Sequence, residues 1–234
     1  MLFSERFYRA AAVCSFVSAV TTLLLIFLPR FFEPLNGFET RMARVNEPAY
    51  LVRAWAYLVH PFLTVTAALG VAARLRFVAA SLVVPGFLTF FLWGSAEAAQ
   101  QALTIVAFDR WRAAYLAGDE AVRATMALRV AIYDGLWDAL YFLLLIAFLI
   151  ANVLYAVAMR RGRGLTRGLS VLYAGAALLT LSILVNELGG PALPPLLNAW
   201  IYPAIQPLAR TLIGVWLWRY ANESTTQPLA PLRA

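Results

Sequence analysis

The stretch Leu196–Trp218 reads LLNAWIYPAIQPLARTLIGVWLW. It is long enough to cross the hydrocarbon of a bilayer, for which about 20 apolar residues suffice. Yet Asn198, Tyr202, Gln206 and Arg210 recur in it at every fourth position. Steps of four put these side chains on one face of a helix. An arginine inside an apolar span is costly unless it meets a partner or water. A helix that is greasy except for one wet stripe therefore belongs inside a membrane bundle, and the other apolar segments must supply the partner of Arg210.

Composition extends that reading to the whole chain. Of 234 residues, 62% are hydrophobic and 13% charged, with a mean hydropathy of +0.74, far more apolar than a soluble domain. The net charge of +7 is carried by arginines alone. They are spread over short segments between apolar runs, which points to the lipid bilayer as the partner and not to nucleic acid. The absence of lysine excludes a Schiff base to retinal or pyridoxal phosphate. Cys14 is solitary, so an intrachain disulfide and a cysteine zinc site are excluded, and it reads as a small core residue. His60 is the one histidine, which rules out bis-histidine haem. No phosphate loop, Gly-x-Ser-x-Gly nucleophile or His-Glu-x-x-His motif is present. No catalytic residue, cofactor or metal is assigned.

Hydropathy predicts an all-α, polytopic transmembrane bundle of six spans: about 8–28, 50–73, 77–106, 131–158, 169–188 and 196–218. Together they form a single domain over 1–221, with a disordered tail over 222–234. The first run follows Arg6 and Arg9 as a signal peptide would. It is followed, however, by Pro29-Arg30-Phe31-Phe32 and not by a small-residue cleavage site, so it reads as a span. Residues 30–49 form a mixed-charge outer loop, and 107–130 an outer helical hairpin tip turning at Gly118-Asp119. The third apolar pattern is longer than a bilayer requires, with Pro85-Gly86 and Gly94-Ser95 as expected bending points. The run Met159–Gly168, MRRGRGLTRG, is the strongest positive cluster. Placing it inside, with Arg6, Arg9, Arg74, Arg76 and Arg219, sets both termini in the cytoplasm.

This topology gathers the intramembrane polar groups. Arg53, Tyr57, His60 and Thr64 make a second helical stripe, Asp134 and Asp138 lie one turn apart, and Glu97 and Glu187 sit near outer span ends. Arg210 lies about 21 Å into its span at 1.5 Å per residue. Side chains lean toward a helix N-terminus, so Asp138 is its expected partner. The functional expectation is an outward-facing polar cavity that binds or transports a small polar or amphiphilic molecule. Arg210 would anchor an anionic group, Asp134, Asp138 and Glu97 would handle protons or a cation, and His60 would tune them. Tyr202, Gln206, Glu187 and Arg53 complete the candidate set.

Two other readings compete. The polar groups can be interhelical glue in a structural subunit that acts through an unidentified membrane-protein partner and binds no ligand. Alternatively Asp134, Asp138, Glu97 and His60 can hold a divalent ion in a metal-dependent membrane hydrolase acting on lipid.

The long first outer loop, the run Leu51-Val52-Arg53-Ala54-Trp55 and the arginine-rich turn at Arg160–Arg167 before Leu169 resemble the layout of a loose group of uncharacterised six-helix bacterial membrane proteins. That resemblance implies a bacterial cytoplasmic membrane and no activity. In architecture alone the chain is also similar to the substrate-binding subunits of vitamin importers, with Ala10, Ala11 and Ala12 as a surface for close packing on a partner. No vitamin-specific motif accompanies it.

Overall fold

The computed structural model describes residues 3–32, 37–192, 194 and 196–226. The chain forms helices α1 (Glu5–Phe27), α2 (Phe38–Ala43), α3 (Pro48–Leu103), α4 (Asp109–Ala117), α5 (Glu120–Met159), α6 (Leu165–Glu187) and α7 (Tyr202–Thr226), with no strand among the described residues. Four helical stretches are long and apolar enough to cross a membrane: Glu5–Phe31, Pro48–Ala117, Glu120–Met159 and Leu165–Glu187. Large apolar side chains such as Phe62, Phe77, Val171 and Leu178 point outward from the bundle. Water would punish such a surface, and lipid accepts it.

The longest of these, α3, is not straight. At Ala79 the backbone leaves helical geometry (φ −149°, ψ 44°), and residues 48–78 and 80–103 form two arms. The ring of His60 meets that of Trp93 at 6.3 Å between centroids. In an unbroken helix those residues would lie about 50 Å apart, so the arms run antiparallel. The reversal lies just after the gap expected between the spans 50–73 and 77–106, and the helix does not break at Pro85-Gly86 or Gly94-Ser95, the points expected to bend the third span. Pro61 and Pro85 both remain within the helix, and the two glycine sites serve close packing instead. A Cβ on Gly94 would lie 2.5 Å from Val65 of the first arm, and one on Gly86 would lie 2.7 Å from the ring of Tyr155.

The second arm runs through a π-helical turn, Thr104–Phe108, into α4. After Gly118 the chain turns into α5, where Asp119 caps the first turn by accepting from the Val122 N–H at 2.9 Å. α5 thus starts at Glu120, well before residue 131 where the apolar pattern begins. Gly189 closes α6 with φ +85°, letting the Gly190 N–H reach the Val185 carbonyl at 2.8 Å. At the C-terminus, 222–226 are helical where a disordered tail was expected. Tyr220 stacks edge-on against Tyr8, and Asn222 accepts from Arg9 at 3.4 Å. The rest of that tail, 227–234, lies outside the described residues.

Helix contacts are made by small residues that let backbones approach, as membrane interfaces require. Ala11 and Ala12 are fully buried, and a Cβ on Gly70 would stand 2.7 Å from that of Ala11. The alanine run expected to meet a partner protein is thus buried in part within the chain's own α1–α3 contact. An aromatic cluster of Phe90, Trp93, Phe148, Tyr155 and Tyr173 joins α3, α5 and α6. The Tyr155 hydroxyl donates to the Ala68 carbonyl at 2.9 Å.

The two ends of the bundle differ. At one, Arg74 lies over Trp216 and Tyr220 and donates to the Trp216 carbonyl, while the indole N–H of Trp216 donates to Thr166. These contacts bring together α7, the stretch of α3 just before the Ala79 bend and the start of α6. At the other end α2, α4 and the start of α5 share a second core of Met42, Phe108, Tyr115, Met126, Val130 and Tyr133.

Candidate functional site

The polar stripes predicted for separate helices converge on a cavity of about 230 Å³ inside the bundle. The first arm of α3 brings Arg53, Tyr57 and His60 to it, because steps of four and three keep them on one face. The second arm brings Trp93 and Glu97, again four residues apart, and α7 brings Gln206 and Arg210. The side chains of Asn198 and Tyr202, which would complete the α7 stripe, lie outside the described residues.

Arg210 is buried and donates through Nη1 to the hydroxyl of Thr64. That hydroxyl donates in turn to the His60 carbonyl at 3.1 Å. On the other side of the imidazole, Nδ1 lies 2.7 Å from Thr21 Oγ1, which also reaches the Ser18 carbonyl at 3.0 Å. A hydroxyl has one proton. If it serves Ser18, then His60 Nδ1 carries the ring proton, leaving Nε2 as an acceptor. Ser15 Oγ donates to the backbone carbonyl of Arg210 at 2.6 Å, fixing α7 against α1.

Glu97 is 4% exposed. Among the described residues its carboxyl makes no hydrogen bond or ion pair, and it faces the cavity it shares with Arg210. Arg210 and Glu97 line this cavity together but do not pair with each other. A buried carboxyl without a partner is expensive. It lines the open space of this cavity.

Arg53 and Tyr57 also line a second, larger cavity of about 550 Å³, together with Arg41, Arg112, Asp134 and Asp138. Here the expected chemistry changes hands. Asp138 is exposed and lines this outer cavity, remote from the contacts of Arg210, so the anticipated Arg210–Asp138 pair does not form. Asp134 is held by Arg41 of α2, whose Nη1 donates to Oδ2 at 2.9 Å while Nη2 donates to Oδ1. That bond, with the charge behind it, pushes the Arg41 guanidinium above its ordinary range. Deeper in this wall Arg112 pairs with Asp109 at 3.1 Å, and the Tyr50 hydroxyl donates to the same carboxylate at 2.9 Å. Glu187, exposed at the end of α6, lines neither cavity.

A third space, only about 40 Å³, continues from Gln206, Arg210 and Phe148 toward Ser15, Asn152 and Tyr173. Past it, the core around Tyr155, Met159 and Leu217 is fully buried. The three spaces thus form one series, wide at the end that carries α2 and α4 and narrowing toward the arginine-rich end.

Splitting the acids between two cavities bears on metal chemistry. Among the described residues no three His, Cys, Asp or Glu side chains form a group able to hold a metal ion. The set proposed for a hydrolase is divided, with His60 and Glu97 in one cavity and Asp134 and Asp138 in the other.

The sequence reading missed the contributions of α1 and α6, where Thr22 and Thr180 line the central cavity. The spacing of Ser15, Ser18 and Thr22 by three and four was the available signal, since it puts three hydroxyls on one face. No protein-family model matches the chain, and comparison with curated proteins and with solved structures likewise finds no match.

Proposed function

We propose that this chain is a multi-pass protein of a bacterial cytoplasmic membrane whose central cavity, reached through the outer one, binds or transports a small polar or amphiphilic molecule. In this reading the chain crosses the membrane six times. The arms of α3 count separately, α7 adds a crossing, and the arginine-rich end faces the cytoplasm under the positive-inside rule. The wide cavity then opens outward.

The observation that carries the proposal is the buried Glu97 carboxyl, which shares a cavity with Arg210 and His60 without an ion pair to either. Interhelical glue satisfies its own groups, as the Arg41–Asp134 pair between α2 and α5 does. A group left facing open space instead suits a site kept for something that arrives. The apolar side of the same cavity, with Leu144, Leu145, Phe148 and Ile183, suits the body of an amphiphile.

Substituted-cysteine labelling tests the reading. Thr180→Cys in a Cys14→Ala background puts a thiol on the central cavity, and Ala151→Cys puts one in the closed core. A small membrane-impermeant thiol reagent added outside intact cells should modify the first and spare the second. Modification of Thr180→Cys only from the cytoplasmic side would overturn the outward opening.

A further inference from the structure

Arg53 and Gln101 both line the outer cavity, one from each arm of α3. The arms run antiparallel with His60 against Trp93. Arg53 stands seven residues before His60 and Gln101 eight residues past Trp93, so the two lie near one level of the bundle. The Arg53 Nε donates to the Leu25 carbonyl at 3.4 Å, and its guanidinium carbon lies 5.3 Å from the centroid of the Tyr57 ring. Its two terminal nitrogens make no hydrogen bond or ion pair among the described residues. The other arginines of this cavity each have a carboxylate: Arg41 has Asp134, Arg44 has Glu47 and Arg112 has Asp109. Arginine keeps its charge throughout the ordinary pH range, so Arg53 is a fixed cation without a carboxylate. Gln101 is 7% exposed, and its amide likewise makes no hydrogen bond among the described residues. A buried amide without a partner is costly unless the cavity supplies one.

We infer that the outer cavity binds an aromatic carboxylate, with its acid group held by Arg53 and Gln101. The site lies outside the central cavity, and the inference does not rest on what that cavity holds. A guanidinium fork matches the planar carboxylate through two parallel bonds, and the Gln101 amide adds a third donor. One unmatched charge suits a monoanion, whereas a phosphate monoester carries nearly two charges at neutral pH. Asp134 is taken by Arg41, and Asp138 is exposed, where solvent screens it.

The apolar part of the wall selects a ring. It consists of Tyr50, Tyr57, Phe108, Tyr133 and Trp137 with Ala54, and holds no Leu, Ile, Val or Met among the described residues. Phe108 and Tyr133 already stack, with centroids 4.1 Å apart and planes 5° from parallel. Such faces and edges favour another ring over an acyl chain. The volume of about 550 Å³ falls within the roughly 300–1,000 Å³ of small-molecule sites.

The test uses the purified full chain in lipid nanodiscs and titration calorimetry with phenylacetate, 3-phenylpropanoate and indole-3-acetate. Each acid is measured beside its uncharged amide, and phenylacetate also beside cyclohexylacetate. At least one aromatic acid should bind about tenfold or more tightly than its amide, the scale of a hydrogen bond to a charged group. Phenylacetate should bind more tightly than cyclohexylacetate. Arg53→Gln should abolish the preference for acid over amide, and Arg53→Lys should retain part of it. Gln101→Leu, which keeps the bulk and removes the amide, should weaken the acid by about threefold or more. Glu187→Gln, outside both cavities, should change nothing.

If none of the acids binds at millimolar concentration, or if each amide or the cyclohexyl acid binds as tightly as its aromatic acid, the inference is wrong. It is equally wrong if Arg53→Gln and Gln101→Leu, both melting cooperatively, bind the acids as wild type does. Each of these failures leaves the central cavity untouched, because labelling of Thr180→Cys reads that cavity separately.

Discussion

Arg41 and Asp134, ninety-three residues apart, close on each other with both terminal nitrogens of the guanidinium and both carboxylate oxygens. The pair pins the short helix α2 to the wall of α5 beside the outer cavity. Each side chain is about a third exposed, 32% for Arg41 and 40% for Asp134, so solvent screens much of the attraction. A double-mutant cycle with Arg41→Ala and Asp134→Ala, followed by thermal unfolding in detergent, should give a coupling energy of about 0.5–1 kcal/mol that shrinks as salt is raised. A coupling of several kcal/mol would mean that the pair is far drier than this geometry implies.

Gly86 and Gly135 make a matched comparison. Both are helical glycines, but a Cβ at Gly86 meets the Tyr155 ring at 2.7 Å, while one at Gly135 meets nothing within 4 Å. Gly86→Val should destabilise by about 1–3 kcal/mol through overpacking and loosen the Tyr155–Ala68 bond. Gly135→Ala should be neutral or stabilising by up to about 1 kcal/mol through helix propensity. Melting temperatures of the two variants beside wild type decide the point, and equal effects would deny that the second arm of α3 packs on α5 at this register.

Thr64 is the link between Arg210 and His60. Thr64→Val keeps its shape and removes the hydroxyl, leaving the Arg210 Nη1 donor without that acceptor. The expected loss is about 1 kcal/mol, the scale of interhelical hydrogen bonds in membranes. Thr64→Ser should restore it. Thermal unfolding of the three proteins gives the answer, and a Thr64→Val protein as stable as wild type would show that the hydroxyl bridge contributes nothing.

Helical class, membrane setting and the polar faces of individual helices were legible because they are local properties. A stripe such as Arg53, Tyr57, His60 and Thr64 can be read from spacing alone. Which stripe meets which was not legible, since that depends on how each helix is rotated and shifted against its neighbours. Arg210 was assigned to Asp138 because its side chain, deep in the span, was expected to lean toward the helix N-terminus and so toward the outer acids. In the structure α7 packs on α1 and presents Arg210 to Thr64, and Asp134 is taken by an arginine of the loop that carries no periodic signal. Within α3 the chain reverses at Ala79, just after Arg74-Leu75-Arg76 and next to the gap between the stretches read as spans 50–73 and 77–106, a place that hydropathy marks. Pro85 and Gly94, read as bending points inside the third span, stay helical, since the packing of Gly86 on Tyr155 and of Gly94 on Val65 depends on neighbours that local sequence does not name.

The central claim is that the cavity shared by Glu97, His60 and Arg210 holds a small molecule. Native mass spectrometry of the protein released from membranes in mild detergent addresses it most directly, with Arg210→Lys and Arg210→Ala run beside wild type. The account predicts a small molecule bound to wild type at near one per chain, reduced in Arg210→Lys and absent from Arg210→Ala that still melts cooperatively. A bare wild-type chain, or a bound molecule that survives Arg210→Ala unchanged, would contradict it.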